Sequence, residues 1–204
     1  MPQSIKAAFA LIDWHNVQGY AAPAFQSNPR AKLADALLAI QQQLAGLLSR
    51  GSLGAHKFRI AMRVYHGWHS GKNQVPIFHD FRKFFDDQSL ARKISNCSFL
   101  GGLQFGNELT CDADSRFTLY STYRSGGQDK GQKMVDTAIV CDLLHLLHMK
   151  TADLGIIISD DDDYIPAMLT AKSWSSSVLL VRKPGSGIEH VTNFDCSNEL
   201  AYWS

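Results

Sequence analysis

The stretch GIIISDDDDYIPAM, residues 155 to 168, sets Asp160, Asp161, Asp162 and Asp163 directly behind an apolar run. Side-by-side like charges repel, and neither a helix nor a strand needs them for its own stability. A solvated acidic turn would account for such a run taken alone. Two further acidic positions bear on the choice. Asp13 closes the apolar run AAFALID, residues 7 to 13, and a charge ending a buried strand is costly without a partner. Asp136 lies in the first turn of a helical stretch from Gln132 to Lys150, where a carboxylate suits the helix dipole. Carboxylates gathered in one cleft repel unless a cation offsets them. Oxygen-only donors suit magnesium or manganese, and magnesium keeps several waters and a phosphate in its shell. Such an ion activates water and offsets charge on a phosphodiester undergoing displacement. That is the chemistry of a nuclease.

Other acidic motifs fit less well. An EF-hand loop needs glycine at its sixth position and glutamate at its twelfth; counted from Asp160 these are Ile165 and Ala171. No G-x-x-x-x-G-K-[ST] occurs, which excludes a P-loop NTPase.

The elements that must position these carboxylates alternate along the chain. AAFALID reads as a buried strand of a parallel sheet. A helix follows, with Asn28 as its N-cap, Pro29 at its first position, Leu33, Leu37, Ile40, Leu44 and Leu47/Leu48 at helical spacing, and Gly51 ending it. Lys57 to Trp68 alternates Phe58, Ile60, Met62 and Val64 with basic residues as a strand does, and Ile77 to Gln88 reads as a short amphipathic helix. NCSFLGGLQF and SRFTLYSTYR, joined by a polar loop from Gly106 to Asp114, read as an antiparallel hairpin at a sheet edge. After the helix from Gln132 to Lys150 come a strand LGIIIS, a helix YIPAMLTAKSW, a strand SVLLV and the closing NELAYWS, a strand or turn. Alternating strands and helices predict an α/β three-layer sandwich with a mostly parallel central sheet, one domain over residues 1–204. In such sheets ligands collect outside the carboxyl ends of the strands, where Asp13 and the aspartate run both fall.

The whole chain sets the outer bounds. Its 204 residues suffice for one domain with a real core, and 45% apolar residues read as globular. A net charge of +1 supplies no global attraction for nucleic acid, so any contact needs a local basic patch. Cys97, Cys111, Cys141 and Cys196 are widely spaced, without the paired spacing of a zinc ribbon, and read as buried free thiols. The six-residue apolar run near the N-terminus is too short for a signal core or a membrane span. A cytoplasmic protein with no membrane partner is expected.

Three blocks together, ALIDWHNV (10–17), KMVDTAIVCDLL (133–144) and IISDDDDYIPAM (157–168), resemble the NYN domain, a branch of the PIN-like nucleases. That family's pattern is a first strand ending I-D-x-x-N, a helix bearing K-x-V-D-x(5)-D, and S-G-D-x-D-[FY]-x-P. The blocks stand in family order and between them span nearly the whole chain. Asp13 and Asn16 match the first; Lys133, Asp136 and Asp142 the second; Ser159, Asp161, Asp163, Tyr164 and Pro166 the third. The chain departs from the pattern where the family's glycine is Asp160, and Asp162 fills a variable position.

The resemblance implies a PIN-like fold and metal-dependent endoribonuclease activity on RNA. Asp13, Asp136, Asp161 and Asp163 are then expected to be catalytic and to hold magnesium or manganese. Asp163 has an alternative as a helix cap. Asp142 lies roughly 120° around the helix from Asp136, which argues against a shared ion. Asn16, Lys133 and Ser159 are expected at the substrate. Trp68 is expected to stack on an unpaired base with Lys72 at a phosphate, and Arg182 and Lys183 to serve likewise after the last strand. A non-catalytic RNA-binding or adaptor module on the same fold is the alternative, and a small-molecule phosphohydrolase a third reading.

Overall fold

Buried apolar runs with turn residues at their ends become strands, and the frame of the molecule is the sheet they build. The computed structural model describes residues 4–21, 29–84, 88–111, 118–124, 131–185 and 200–203. Strand β1 (Ile5–Asp13) passes without a loop into α1 (Trp14–Ala21). Helix α2 (Pro29–Leu48) and β2 (Lys57–Tyr65) follow, then a small hairpin of β3 (His69–Ser70) and β4 (Asn73–Gln74), and α3 (Pro76–Arg82). Short strands β5 (Arg92–Ile94), β6 (Cys97–Phe99), β7 (Gln104–Phe105), β8 (Tyr123–Arg124) and β9 (Gly131–Gln132) precede α4 (Val135–His148). The chain continues through β10 (Leu154–Ile158), α5 (Ile165–Ser173), β11 (Ser177–Arg182) and β12 (Leu200–Tyr202).

The main sheet runs β12-β11-β10-β1-β2-β6-β5, with β7 also paired to β2. Every pairing in it is parallel except β5 with β6. Alternate residues of the central strands serve opposite faces. Ala8, Ala10 and Ile12 pack with Leu37, Ile40 and Leu44 of α2 and Phe81 of α3. Leu11 packs with Ile139 and Leu143 of α4 and Met168 and Ala171 of α5. The result is a three-layer α/β sandwich with a mostly parallel central sheet. Its register sets Asp13 opposite Tyr65 and Ile12 opposite Ile158, so the carboxyl ends of β1, β2 and β10 share one edge.

Several local expectations are corrected. The antiparallel edge hairpin is formed by β5 and β6; β7 instead joins β2 in parallel, and Tyr123–Arg124 pairs with Gly131–Gln132. Three-residue strands are too short to carry a period, which is why the pattern missed them. The helix expected from Ile77 to Gln88 spans only Pro76–Arg82. Gln132 lies in β9, and α4 starts at Val135 after Met134, which holds a left-handed backbone at φ 64°. Cys97 is buried, but Cys111 and Cys141 are exposed; Cys196 and Asn28 lie outside the described residues. Among the described residues, no helix is long and apolar enough to cross a membrane.

A polar clamp ties α4 to β2. Asp142, fully buried, accepts from the Tyr65 hydroxyl at 2.6 Å, the Thr110 amide at 2.6 Å and the Thr110 hydroxyl at 2.9 Å. Arg63 Nε lies 2.9 Å from Asp142 Oδ2, off the line of a straight hydrogen bond, so this contact acts through charge. The guanidinium also donates to the Glu108 carbonyl. Burial holds the Tyr65 phenol well above its ordinary pKa, with Asp142 adding to the shift, so it remains a donor. Asp142→Ala would leave a buried guanidinium uncompensated and should cost about 3–5 kcal/mol. Urea unfolding of the variant measures this, and an unchanged midpoint would mean that the clamp holds nothing together.

Candidate functional site

Asp13 ends the central strand with 1% of its surface exposed. Three elements supply donors to its Oδ2. Asn16, in the first turn of α1, donates from Nδ2 at 2.6 Å, three residues on and therefore on the same helix face. Ser159, the first residue beyond β10, donates its hydroxyl at 3.0 Å, and Asn16 Nδ2 also reaches Ser159 Oγ at 3.1 Å. Tyr164 brings its hydroxyl to 3.0 Å. All three converge on one oxygen, which directs the other, Oδ1, away from the donors. Asn16 and Ser159, expected at the substrate, thus position Asp13, and Ser159 is fully buried.

The Tyr164 hydroxyl is also 2.9 Å from Asp136 Oδ1. A hydroxyl carries one proton and can donate to one carboxylate at a time. With both aspartates ionised, the second contact sets oxygen against oxygen, and a further proton or a cation must balance it. Burial, with Asp13 and Asp136 adding, holds the Tyr164 phenol far above its ordinary pKa and keeps it protonated. Asp136 is exposed, yet the protein behind it strips enough water to raise its carboxyl above the ordinary 3.8. Asp13, Asp161 and Asp163 raise it further, while the Tyr164 hydrogen bond lowers it. Asp13, Asp161 and Asp163 therefore all act on Asp136 at one sheet edge.

The aspartate run divides by partner. Asp161 accepts the Asp163 amide on Oδ1 at 3.0 Å, capping the short turn Asp162–Tyr164, so the capping role falls to Asp161 and not to Asp163. Its own amide donates to Ser159 Oγ at 3.2 Å. Asp162 forms an ion pair with Arg182, whose Nη2 donates to the Asp160 carbonyl at 2.6 Å. The Lys183 amide donates to Asp160 Oδ1 at 2.5 Å. Asp160 is not among the residues with positive φ, so the turn here has no need of glycine. Asp160 and Asp162 bind the loop to the end of β11, while Asp161 and Asp163 lie near enough to Asp136 to raise its pKa.

This arrangement corrects two substrate expectations. Arg182 is 2% exposed and committed to the acidic loop, which removes it from phosphate contact. Trp68 is fully buried, with Phe81 at 5.3 Å and Phe105 at 4.9 Å edge-on to its ring, so no base can stack there. Lys72 is exposed in the β3–β4 turn, Lys183 is exposed just past β11, and Lys133 is half-buried three residues before Asp136. Sequence reasoning passed over His66, which follows Tyr65 at the same sheet edge. Its Nδ1 accepts from Gln132 Nε2 at 2.7 Å, leaving the proton on Nε2. Burial first, and the neighbouring His15 second, lower its pKa to about 4. A polar residue ending the strand beside β1 was the available signal.

Whether a divalent ion fits rests on these donors. Among the described residues, no three His, Cys, Asp or Glu side chains gather to hold an ion. A cage of all four aspartates is therefore not formed. Magnesium is commonly held by one or two carboxylates, with waters and phosphate completing its shell. Asp13 Oδ1 and the Asp136 carboxylate suit that mode, and the lone proton of Tyr164 between them leaves charge for a cation to offset.

No family model matches the chain, and no curated protein matches it. The chain is similar to the crystal structure of a protein of unknown function from Vibrio parahaemolyticus, at 12% identity and a TM-score of 0.52 over 100% of this chain and 96% of that one. At that identity the likeness is one of fold.

Two outcomes follow for folding. A carboxyl raised in the folded state adds stability below its ordinary pKa, and that stability is lost as pH rises through the raised value. Asp136→Asn, measured without metal, should therefore melt higher than wild type at neutral pH, with the gain vanishing in acid below 3.8. A lower melting temperature at neutral pH would contradict the electrostatics. Asp162→Ala strands buried Arg182 and should cost about 3 kcal/mol, whereas exposed Asp163→Ala should stay within about 0.5 kcal/mol of wild type. Equal denaturation midpoints for the two variants would remove the division of labour in the loop.

Proposed function

We propose that the protein is a metal-dependent endoribonuclease, hydrolysing RNA phosphodiester bonds with magnesium or manganese at the carboxyl ends of β1 and β10. The observation that supports this reading is the Tyr164 hydroxyl set between Asp13 and Asp136, where desolvation and the charges of Asp13, Asp161 and Asp163 raise the Asp136 pKa. Negative charge collected at the strand ends of a parallel sheet marks a ligand site and attracts a cation. The NYN-like blocks supply the substrate class.

Asp13 and Asp136 would hold the ion, with Asp161 and Asp163 adding negative charge beside it. Asn16, Ser159 and Tyr164 keep Asp13 aimed by occupying its Oδ2. Magnesium or manganese supplies a Lewis acid that acidifies water and offsets charge on the phosphodiester. A carboxylate of the cluster takes the proton of the attacking water as its oxygen bonds to phosphorus. The bond to the 3′ oxygen breaks, and that oxygen takes a proton from solvent water and leaves as a 3′-hydroxyl opposite a 5′-phosphate. Lys133 and Lys183 meet neighbouring phosphates, and His66 presents a neutral N–H at the same edge. The free thiols of Cys97, Cys111 and Cys141 fit a reducing cytoplasm.

The lack of a three-ligand cluster among the described residues favours one second reading, a non-catalytic RNA-binding or adaptor module. Labelled single-stranded RNA separates the two. Wild type should cut it with magnesium or manganese, stop in chelator, and leave 5′-phosphate ends. Asp13→Asn and Asp136→Asn should lose cleavage to background while remaining folded. Wild-type protein that binds the RNA but leaves it intact at millimolar metal would establish the module in place of the nuclease.

A further inference from the structure

On the side of β2 away from β1, a cavity of about 560 Å³ opens beside β7. That is within the range of about 300–1,000 Å³ usual for small-ligand sites. Phe78, Leu103 and Phe105 line it with apolar surface, and Phe78 and Phe105 stack at 4.4 Å with their planes 9° apart. Gln74, Gln104 and Asn107 bring amides to it, and Arg82 an exposed cation. Tyr120, 48% exposed, sets its ring edge-on to His69 at 5.3 Å. His69 is itself 3% exposed and lines the cavity, with a buried Nδ1 that no protein group satisfies. Burial lowers the pKa of its imidazole, and a backbone hydrogen bond with Leu119 opposes the shift.

We propose that this cavity binds an unpaired nucleobase of an RNA strand whose backbone continues to Asp13. The inference deepens the nuclease reading and rests on it for the identity of the polymer. Val64 pairs with Phe105, one residue before Tyr65 pairs with Asp13, so the cavity and the carboxylates share a sheet edge two strands apart. At the usual strand spacing that is about 10 Å. A flat heterocycle matches aromatic walls and a half-exposed tyrosine face. Each amide offers a donor and an acceptor, as do the edges of a base. A wholly apolar ligand would leave those amides without partners. A simple anion would meet Glu108 in the lining, while Arg63 is already paired with Asp142 and the Glu108 carbonyl.

Binding of AMP, GMP, CMP and UMP, each followed by calorimetry and NMR in chelator, tests the site without cleavage. At least one should bind at millimolar concentration or tighter, shifting resonances of His69 and Tyr120. Tyr120→Ala and Asn107→Ala should each weaken it about tenfold, the second variant guarding against misfolding of the first. Asp136→Asn should change it by less than about twofold. No binding by any mononucleotide overturns the proposal, as does ribose 5-phosphate binding equally well. An equal loss in Asp136→Asn and Tyr120→Ala also overturns it, because the ligand would then sit among the carboxylates. Nucleotide binding here by a protein that cuts no RNA keeps the subsite and discards the nuclease.

Discussion

The carboxylate of Asp13 is almost wholly withdrawn from water at the end of the central strand, and the surrounding structure answers to it. An isolated charge in that position would cost several kcal/mol. Hydrogen bonds to one oxygen from a helix that starts at the next residue and from the residue after the strand alongside meet the cost, joined by a tyrosine proton shared with Asp136. Each donor is placed by the parallel register, because β1 and β10 end side by side. The fold and the site are in this sense one construction: slipping β10 by a residue would turn Ser159 to the opposite face.

Around that anchor, charge is sorted by whether it has a partner. Asp142 is accommodated in the interior because Arg63 lies against it and three donors surround it. Asp160 and Asp162 are absorbed by the end of β11. Asp136 shares the tyrosine proton, and loss of water to the protein behind it, with the charges of its acidic neighbours added, displaces its carboxyl upward. Charge whose demand is met is built into the fold, and charge whose demand is unmet stays at the strand ends.

The central strands were legible because strands buried on both faces read as unbroken apolar runs, and α4 because its period is regular. Asp13 and Asp136 were legible for the converse reason, as charges where such patterns should have none. Helix α1 was not, since it starts at the residue after β1 with no turn residues to mark the change, and Trp14 and Val17 pack it into the core. The roles of Arg182 and Trp68 also escaped. Each is decided by a distant partner, Asp162 twenty residues earlier and Phe105 on another strand, and composition near either residue says nothing of that. Tyr164 was visible as a motif letter, but its bridge between two acids depends on three separate segments meeting.

The two ends of the main sheet bear on how the molecule meets copies of itself. β12 and β5 are three residues each, and β5 carries Arg92 and Lys93. A long, flat, apolar edge is a template on which another chain can extend the ladder. Here an incoming strand would find three residues of backbone at either end, one end guarded by two cations that would have to be crowded together. The strands rich in isoleucine and leucine, which would aggregate most readily if exposed, are kept in the middle of the sheet with neighbours on both sides.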